Sequence, residues 1–388
     1  MKRPIKVDDY RRLAQKRLPA MVFDYLEGGA EDESGLQHNR DVLQRIRFRP
    51  RRLLDVSQRD ISTRLFDRAL AAPMLLAPTG LNGLFWPKGD LHLARAARAH
   101  GIPFVLSTAS NTSLEELARH CDSDLWFQLY VVHRRLAEQL VKRALHAGYS
   151  TLVLTVDVAV NGYRERDLRN HFQPAMRYTP AMLWDGLTHP RWAFSRLRHG
   201  IPGLANLADA GSDDLEIQAA LLSRRMDAGF NWDGLAWLRD LWPHRLLVKG
   251  IIHPEDAVRC AAYGADGVIL SNHGGRQLDS CVSPMETLAA TAAAVRLPIL
   301  IDSGFRRGAD IVKAIALGAR TVCLGRAALY GLAAAGEAGV YDVIALLKRE
   351  LDSTLAQLGC STIDRLSADV LFGERQTAKA SVQLEPLA

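Results

Sequence analysis

The feature that most constrains the fold is a regular alternation of short apolar segments with helical patterns, beginning near residue 70. Eight of the apolar segments are short, are bounded by turn residues and have the continuous hydrophobic character of parallel strands covered on both faces. They comprise residues 74–78, 103–107, 125–130, 151–156, 245–249, 266–271, 298–302 and 321–325. Helical patterns lie between them, at 89–100, 134–147, 254–263 and 308–317 among others. This alternation predicts an α/β protein of the TIM (β/α)8 barrel type, with an open doubly wound sheet as the alternative.

Three regions lie outside the repeat. Residues 8–46 predict an N-terminal helical extension, and a long insertion follows the fourth predicted strand. In that insertion, residues 214–241 predict helix, whereas residues 171–210 predict no regular structure. We therefore expect a single domain over residues 1–375, with the barrel at about 70–345, and a flexible tail at 376–388.

Charge and cysteine content narrow the classes of function. The net charge of +6 suits an anionic ligand or an anionic membrane surface, and no nucleic-acid-binding motif accompanies it. The five cysteines are odd in number, widely spaced and without a C-x-x-C motif, which predicts reduced thiols and no metal site. The charged N-terminal sequence predicts no signal peptide, and no apolar run predicts a membrane-spanning helix.

The C-terminal ends of the predicted strands carry a second pattern. In a (β/α)8 barrel these ends line the active site. Each end supplies a polar residue or a glycine: Thr79 and Gly80, Ser107, Gln128 and Tyr130, Thr155 and Asp157, Lys249, Ser271 and His273, Asp302 and Gly304, Gly325 and Arg326. Any one of them has an alternative role as a turn or cap residue, but together they predict a large pocket with a polar rim.

The loops after the last two strands combine glycines with arginines. Asp302, Gly304 and Arg306 follow the seventh strand, and Gly325 and Arg326 follow the eighth. Backbone amides, helix N-termini and guanidinium groups favour a phosphate at the position where such barrels usually bind one. The alternative is that these glycines only turn the chain. No G-x-G-x-x-G motif follows an early strand, so we do not expect a Rossmann-bound NAD.

The segment 271–279, SNHGGRQLD, contains the strongest candidate for a general base. His273 is suited to that role near neutral pH, and Asp157 at the fourth strand end would orient its imidazole. Arg276 and Arg164 supply two cations near the same point. This combination predicts a site for a carboxylate beside a group that loses a proton. A purely structural histidine is the alternative.

These motifs resemble the flavin-dependent L-2-hydroxy acid oxidases and dehydrogenases, a family that includes glycolate oxidase, lactate dehydrogenase and mandelate dehydrogenase. The resemblance extends from about Val7 to Arg375 and is most specific at 271–279. Further stretches that carry it are residues 24–30, 78–80, 126–130, 155–157, 247–250 and 302–308.

The resemblance implies an FMN-dependent enzyme that oxidises a small L-2-hydroxy acid to a 2-keto acid. It implies His273 as the base with Asp157 as its partner, and a substrate bound by Tyr25, Tyr130, Arg164 and Arg276. The residues implied in binding the flavin ring are Pro78, Thr79, Gly80, Ser107, Gln128, Thr155, Lys249 and Ser271, and those implied near the ribityl chain and phosphate are Asp302, Gly304, Arg306, Gly325 and Arg326.

Within the family, the chain is most similar to the membrane-associated mandelate-oxidising branch, at residues 79–83, 86–90, 106–111 and 157–167. Gly80 favours a dehydrogenase, because the oxidases tend to carry alanine there. Residues 171–210 fall where that branch has a membrane-binding insertion, and their tryptophans and arginines suit a membrane interface. A substrate lid or an oligomer contact is the alternative for this segment.

The resemblance also implies a homotetramer, peripheral attachment to the cytoplasmic side of the inner membrane, and electron transfer to a quinone-type acceptor. A cytoplasmic enzyme without membrane contact is the alternative location. Lactate is the alternative substrate and oxygen the alternative acceptor. Two other classes remain: a phosphate-binding barrel isomerase or IMP-dehydrogenase-like enzyme, and a flavin- or anion-binding module without catalysis.

Overall fold

Eight parallel strands close into a barrel in the computed structural model, which describes residues 3–122, 124–170, 179–200, 202–207 and 226–372. Each strand pairs with the next along the chain, and the last pairs with the first. The strands are β1 (Met74–Leu76), β2 (Phe104–Ser107), β3 (Leu125–Leu129), β4 (Thr151–Thr155), β5 (Arg245–Ile251), β6 (Gly267–Leu270), β7 (Ile299–Ile301) and β8 (Thr321–Leu324). The predicted TIM barrel is therefore confirmed.

Helices surround the barrel and extend it at the N-terminus. The helices in the described part of the chain are α1 (Val7–Arg17), α2 (Ala20–Glu27), α3 (Ser34–Arg45), α4 (Gly89–Ala99), α5 (Leu114–His120), α6 (Arg134–His146), α7 (Glu165–Arg169), α8 (Pro180–Thr188), α9 (Pro190–His199), α10 (Trp232–Leu241), α11 (Pro254–Ala262), α12 (Pro284–Ala294), α13 (Gly308–Ala316) and α14 (Arg326–Leu358). The predicted N-terminal extension is confirmed by α1, α2 and α3. Short antiparallel strands at Arg47–Phe48 and Leu371–Phe372 pair with each other and hold the two ends of the domain together.

The barrel interior changes from apolar to polar along its axis. One layer consists of buried apolar side chains: Leu75, Val105, Trp126, Val153, Leu247, Ile269, Leu300 and Cys323. Side chains alternate along a strand, so the residues two positions further on also point inward. These residues are Ala77, Ser107, Gln128, Thr155, Lys249, Ser271, Asp302 and Gly325. The polar layer therefore lies at the C-terminal mouth, which is where the sequence predicted a pocket.

The helix α14 follows β8 and extends to Leu358, beyond residue 345. By length and composition it is apolar enough to cross a membrane. It packs instead against α1, α4 and α13, and most of its apolar stretch is buried there. It bends where Ala335 and Gly336 leave helical backbone angles. Its hydrophobicity is thus explained by its place in the core.

The insertion after β4 contains the main error of the sequence-based prediction. Residues 171–210 were expected to be irregular, yet α8 and α9 lie within that range and pack against each other. A proline begins each helix, and Trp184 with Leu187 has the three-residue spacing of one helix face. The predicted helix 214–241 begins outside the described residues; within them, α10 confirms its end, but residues 226–231 form a turn and are not helical. The predicted tail at 376–388 lies outside the described residues.

Candidate active site

The backbone after β6 turns sharply to present His273 at the barrel mouth. His273 has a φ of 56°, and Gly274 and Gly275 continue the left-handed conformation with φ of 64° and 72°. A histidine in that region costs about 1 kcal/mol of backbone strain, whereas glycine adopts it freely. The Ser271 hydroxyl accepts a hydrogen bond from the His273 N–H at 2.9 Å and stabilises the turn.

The imidazole of His273 lies against Asp157, which follows β4. The distance between Nδ1 and the Asp157 Oδ1 is 2.8 Å. A carboxylate accepting from Nδ1–H leaves Nε2 as the basic nitrogen of the ring. Burial alone raises the pKa of Asp157, but His273 and Lys249 outweigh burial and lower that pKa to about 2. Asp157 is therefore ionised across the physiological range and stabilises the protonated form of His273.

Lys249 connects two carboxylates beneath this pair. Its Nζ lies 3.5 Å from Asp157 Oδ2 and 3.3 Å from Asp302 Oδ2, and it donates to the Ser271 hydroxyl at 2.8 Å. Burial lowers the pKa of Lys249, but Asp157 and Asp302 raise it above its ordinary value. The lysine is thus a permanent buried cation at the floor of the mouth, held by the ends of three strands.

The two predicted substrate arginines lie side by side at the rim. Arg164 is buried; it donates from Nε to the Arg276 carbonyl at 3.1 Å and from Nη2 to Gln277 Oε1 at 3.1 Å. Arg276 donates to the carbonyls of Gly28 and Tyr25 at 2.6 and 2.9 Å. Its guanidinium lies 5.4 Å from the centroid of the Tyr25 ring. The fold therefore brings α2, the β4 loop and the β6 loop together around one positive rim.

Two buried polar atoms in the mouth support a fit with a flavin. Gln128 Oε1 accepts from the Ser107 hydroxyl at 2.9 Å, which fixes the amide orientation, yet Gln128 Nε2 has no partner among the described residues. The same is true of the Thr155 hydroxyl. Buried donors of this kind are normally satisfied. A flavin ring carries carbonyl oxygens and ring nitrogens along one edge, and these groups would satisfy both side chains.

The β1 loop forms one wall of the same mouth. The Leu81 N–H donates to the Ala109 carbonyl at 2.9 Å, so the predicted flavin-contact segment Pro78-Thr79-Gly80 is joined to the β2 loop. A Cβ added at Gly80 would lie 3.0 Å from the Cβ of Ala109. Glycine at position 80 therefore permits a close approach between the two loops.

The predicted phosphate residues also converge. Gly304 has a φ of 91°, and its carbonyl accepts from Arg40 at 2.8 Å. The space beside the Cα of Gly325 is open. Arg326 uses three of its five donors on the carbonyls of Leu26, Gly274 and Gly28, which leaves two for another ligand. Arg326 therefore caps the C-terminal end of α2.

A buried network that the sequence did not indicate lies behind the β1 and β2 loops. Asp90 is fully buried and accepts from the Asn82 amide at 2.7 Å and from the Asn111 N–H at 3.1 Å. Asn82 in turn accepts from the Thr79 hydroxyl at 3.0 Å. The carboxylate thus fixes two loops that carry predicted flavin contacts. An aspartate is common in the first turn of a helix, so the sequence did not indicate that Asp90 joins these two loops.

Comparison with known proteins agrees with this geometry. The family model for FMN-dependent dehydrogenases matches residues 14–372. The chain is 63% identical to (S)-mandelate dehydrogenase of Pseudomonas putida over 97% of its length and 96% of the relative. It is 42% identical to an L-lactate dehydrogenase of Pseudomonas aeruginosa strain LESB58 over 94% of its length and 97% of the relative.

Solved structures of mandelate-oxidising enzymes are also similar to this chain. A structure described as the monotopic membrane protein (S)-mandelate dehydrogenase superposes with a TM-score of 0.94 at 63% identity, covering 96% of this chain and 100% of the other. A mandelate oxidase superposes with a TM-score of 0.81 at 35% identity, covering 95% and 98% of the two chains. With the barrel, the His273–Asp157 pair and a mouth that fits a flavin, these matches establish that the chain belongs to the FMN-dependent dehydrogenase family.

Proposed function

We propose that this enzyme oxidises (S)-mandelate to benzoylformate. The choice of substrate is supported by the 63% identity to an (S)-mandelate dehydrogenase over nearly the whole chain. The reaction class is supported by one observation in the structure, the 2.8 Å contact between His273 and Asp157 at a mouth lined by arginines. When bound, FMN supplies the acceptor for the two electrons that leave the substrate.

Residues of the chain bind the substrate, take up its proton and stabilise the resulting charge. Arg164 and Arg276 bind the substrate carboxylate through charge-assisted hydrogen bonds, with Tyr25 and Tyr130 at its sides. His273 takes up a proton of the substrate at Nε2, and Asp157 stabilises the imidazolium that results. With a flavin bound, Lys249 would supply the positive charge that stabilises the reduced ring. Thr79, Gly80, Ser107, Gln128 and Thr155 would hold the flavin ring, and Gly304, Arg306, Gly325 and Arg326 would hold the phosphate.

The test is to follow flavin absorbance anaerobically after adding (S)-mandelate, L-lactate or glycolate, with (R)-mandelate and D-lactate as controls. We expect rapid bleaching with (S)-mandelate and slow or no bleaching with the other acids. Faster bleaching with L-lactate would show that L-lactate, and not (S)-mandelate, is the preferred substrate. A flavin that none of these acids reduces would refute the reaction. Slow reoxidation of the bleached enzyme in air would support a dehydrogenase, and rapid reoxidation an oxidase.

We further propose that α8 and α9 bind a membrane surface. Trp184, Leu187, Phe194 and Leu197 are exposed by 70, 69, 67 and 85%. Exposed arginines, including Arg191, accompany them. Aromatic and aliphatic side chains beside basic residues suit the interfacial region of a bilayer. The relative described as a monotopic membrane protein supports this proposal.

Vesicle flotation tests the membrane proposal. A variant with Trp184, Phe194 and Leu197 all changed to Gln is expected to lose most of its binding to liposomes. The control is Leu53→Gln with Leu54→Gln, because these leucines are also exposed but lie outside the insertion. Equal flotation of both variants would contradict the proposal.

The acceptor, the location and the assembly belong to the same proposal. A membrane-bound dehydrogenase can pass electrons to a quinone-type acceptor without a soluble carrier, so we propose such an acceptor and the cytoplasmic face of the inner membrane. We propose a homotetramer from the family resemblance. Quinone-dependent turnover in native membranes and light scattering of the purified enzyme test these points.

A further inference from the structure

The side chain of Arg306 is held by a group outside the loop that carries it. Its Nη2 donates to the hydroxyl of Tyr330 at 3.3 Å, and its guanidinium lies 5.2 Å from the centroid of the Tyr330 ring. Its Nη1 donates to the Phe305 carbonyl at 2.9 Å. No other hydrogen bond of this guanidinium occurs among the described residues, so its remaining donors stay available to a ligand while these contacts hold its orientation.

The direction of the Tyr330 hydroxyl is set by Glu27. Tyr330 is fully buried in α14 and has one hydroxyl hydrogen, which it donates to Glu27 Oε2 at 2.6 Å. Its lone pairs are therefore available to accept from Arg306. Without Glu27 the hydroxyl hydrogen would have no carboxylate to point at and would compete with the guanidinium hydrogens. The carboxylate thus controls whether Tyr330 can accept from Arg306.

Glu27 is itself fixed by the N-terminal extension. Its Oε1 accepts from Arg11 Nε at 2.8 Å, and Arg11 belongs to α1. Burial raises the pKa of Glu27, but the hydrogen bonds from Tyr330 and Arg11 outweigh it and lower that pKa, so the group is ionised at neutral pH. A continuous chain of contacts thus runs from α1 through α2 and α14 to the predicted phosphate loop.

We propose that Tyr330 and Glu27 are positioning residues that aim Arg306 at the cofactor phosphate and so select FMN over unphosphorylated flavin. This inference rests on the proposed phosphate-binding role of Arg306. It assigns a cofactor-selecting function to two residues that had no expected role: Glu27, which lies within the stretch 24–30, and Tyr330, which lies outside the stretches that carry the resemblance. It also gives the N-terminal helices a role in the cofactor site, beyond closing the fold.

Competition between FMN and riboflavin tests the proposal, because only FMN carries the phosphate. The full-length holoenzyme is equilibrated with a series of riboflavin concentrations, and the ratio of bound FMN to bound riboflavin is measured. We expect Arg306→Gln, Tyr330→Phe and Glu27→Gln each to reduce the preference for FMN by about tenfold or more. The double variant of Tyr330→Phe with Arg306→Gln should be no worse than Arg306→Gln alone, since both changes remove one interaction.

The Glu27 variant separates positioning from a simple effect of charge. Removing a negative charge near a bound phosphate would, by the field alone, strengthen FMN binding. Loss of positioning would weaken it. The matched control is Tyr10→Phe, because Tyr10 also joins α1 to a carboxylate of α14, Asp342, at 3.1 Å, but Arg306 takes no part in that contact. This control is expected to retain the full preference for FMN.

The outcomes are distinguishable. If Arg306→Gln loses the preference while Tyr330→Phe and Glu27→Gln keep it, or lose affinity for both flavins equally, the positioning role is refuted and the phosphate site stands. A stronger preference for FMN in Glu27→Gln would also refute it. If Arg306→Gln keeps the preference, the phosphate assignment itself fails, and the inference fails with it. If Tyr330→Phe does not fold, the FMN preference of Glu27→Gln tests the positioning role by itself.

Discussion

At the scale of single residues, the site depends on one histidine whose two ring nitrogens have different tasks. Nδ1 contacts Asp157 at 2.8 Å, so Nε2 is the ring nitrogen that remains to take up a substrate proton in the proposed reaction. The left-handed backbone at His273 is strained and is tolerated because the following glycines and Ser271 hold the turn. Backbone strain at a residue whose ionisable side chain is paired with a carboxylate points to a functional role for that residue.

Replacing His273 by Asn should remove the base while leaving the turn intact, because Asn also tolerates a positive φ. We expect kcat to fall by roughly 10²–10⁴-fold, with the flavin still bound. Anaerobic stopped-flow reduction by (S)-mandelate measures the rate, and the absorption spectrum reports the flavin. The control is His38→Asn, since His38 pairs with Glu286 at the surface. A rate for the His273 variant within a factor of a few of the parent would exclude it as the base.

The Asp157→Asn change should impair the orientation and charge stabilisation of His273 and lower kcat by roughly 10²–10⁴-fold. It should also alter acid stability. The pKa of Asp157 is lowered to about 2, so the stability it contributes is fully present above the ordinary value of 3.8 and is lost as the pH falls through about 2. Unfolding between these values, followed by fluorescence, should depend less on pH in the variant. An unchanged acid transition would contradict the assignment.

At the scale of secondary-structure elements, the loops at the strand ends are fixed mainly by side chains from neighbouring elements. Asp90 in α4 joins the β1 and β2 loops, and Asn206 beyond α9 joins the insertion to the β2 loop through the Ser110 hydroxyl at 3.0 Å. The Trp192 indole N–H of α9 donates to the Leu84 carbonyl at 2.9 Å. The insertion therefore packs on loops that carry predicted flavin contacts, and it is not an independent appendage.

Asp90→Asn replaces one acceptor oxygen by a donor and leaves either Asn82 or Asn111 without its partner. We expect the free energy of unfolding at neutral pH to fall by about 1–3 kcal/mol. Burial raises the pKa of Asp90 to about 6, so the folded state of the parent loses stability as the pH rises from 3.8 through about 6. The advantage of the parent over the variant should therefore shrink across that range. Urea unfolding at several pH values measures it, with the exposed Asp122→Asn as control.

At the scale of the whole molecule, the barrel places a polar mouth at one end and the N-terminal extension closes it. Arg276 and Arg326 both donate to the carbonyl of Gly28, just past the end of α2. The negative end of the helix dipole faces these cations, which stabilises the contact. The extension, the β6 loop and the β8 loop thus form one unit around the site.

The net charge of +6 should add a long-range attraction to an anionic membrane. We expect binding to anionic vesicles to weaken as salt rises from about 0.05 to about 0.5 M, because screening shortens the range of that attraction. Binding that persists at high salt would come from the apolar side chains of α8 and α9. Flotation in a salt series measures both parts. Binding that is independent of salt would contradict the electrostatic contribution.

The barrel could be predicted from the sequence, because hydrophobic periodicity and turn residues are local properties of the chain. The sequence also indicated which polar residues reach the mouth, since the position of a residue at the end of a strand fixes where it lies. The pairing of His273 with Asp157 followed from the same reasoning, although the two residues are 116 positions apart. The helices α8 and α9 were not predicted, because their large apolar side chains are exposed and do not form the buried face by which a helix is usually predicted.

The contacts that depend on barrel closure and side-chain direction could not be predicted from the sequence. Lys249 lies between two carboxylates, Asp90 joins two loops, and Glu27 meets Tyr330 across 303 positions of the chain. No local pattern encodes these contacts, because each depends on the distance between elements that are remote in sequence. Strands and helices follow from local sequence patterns, whereas the hydrogen-bond partner of a buried polar group depends on how those elements pack.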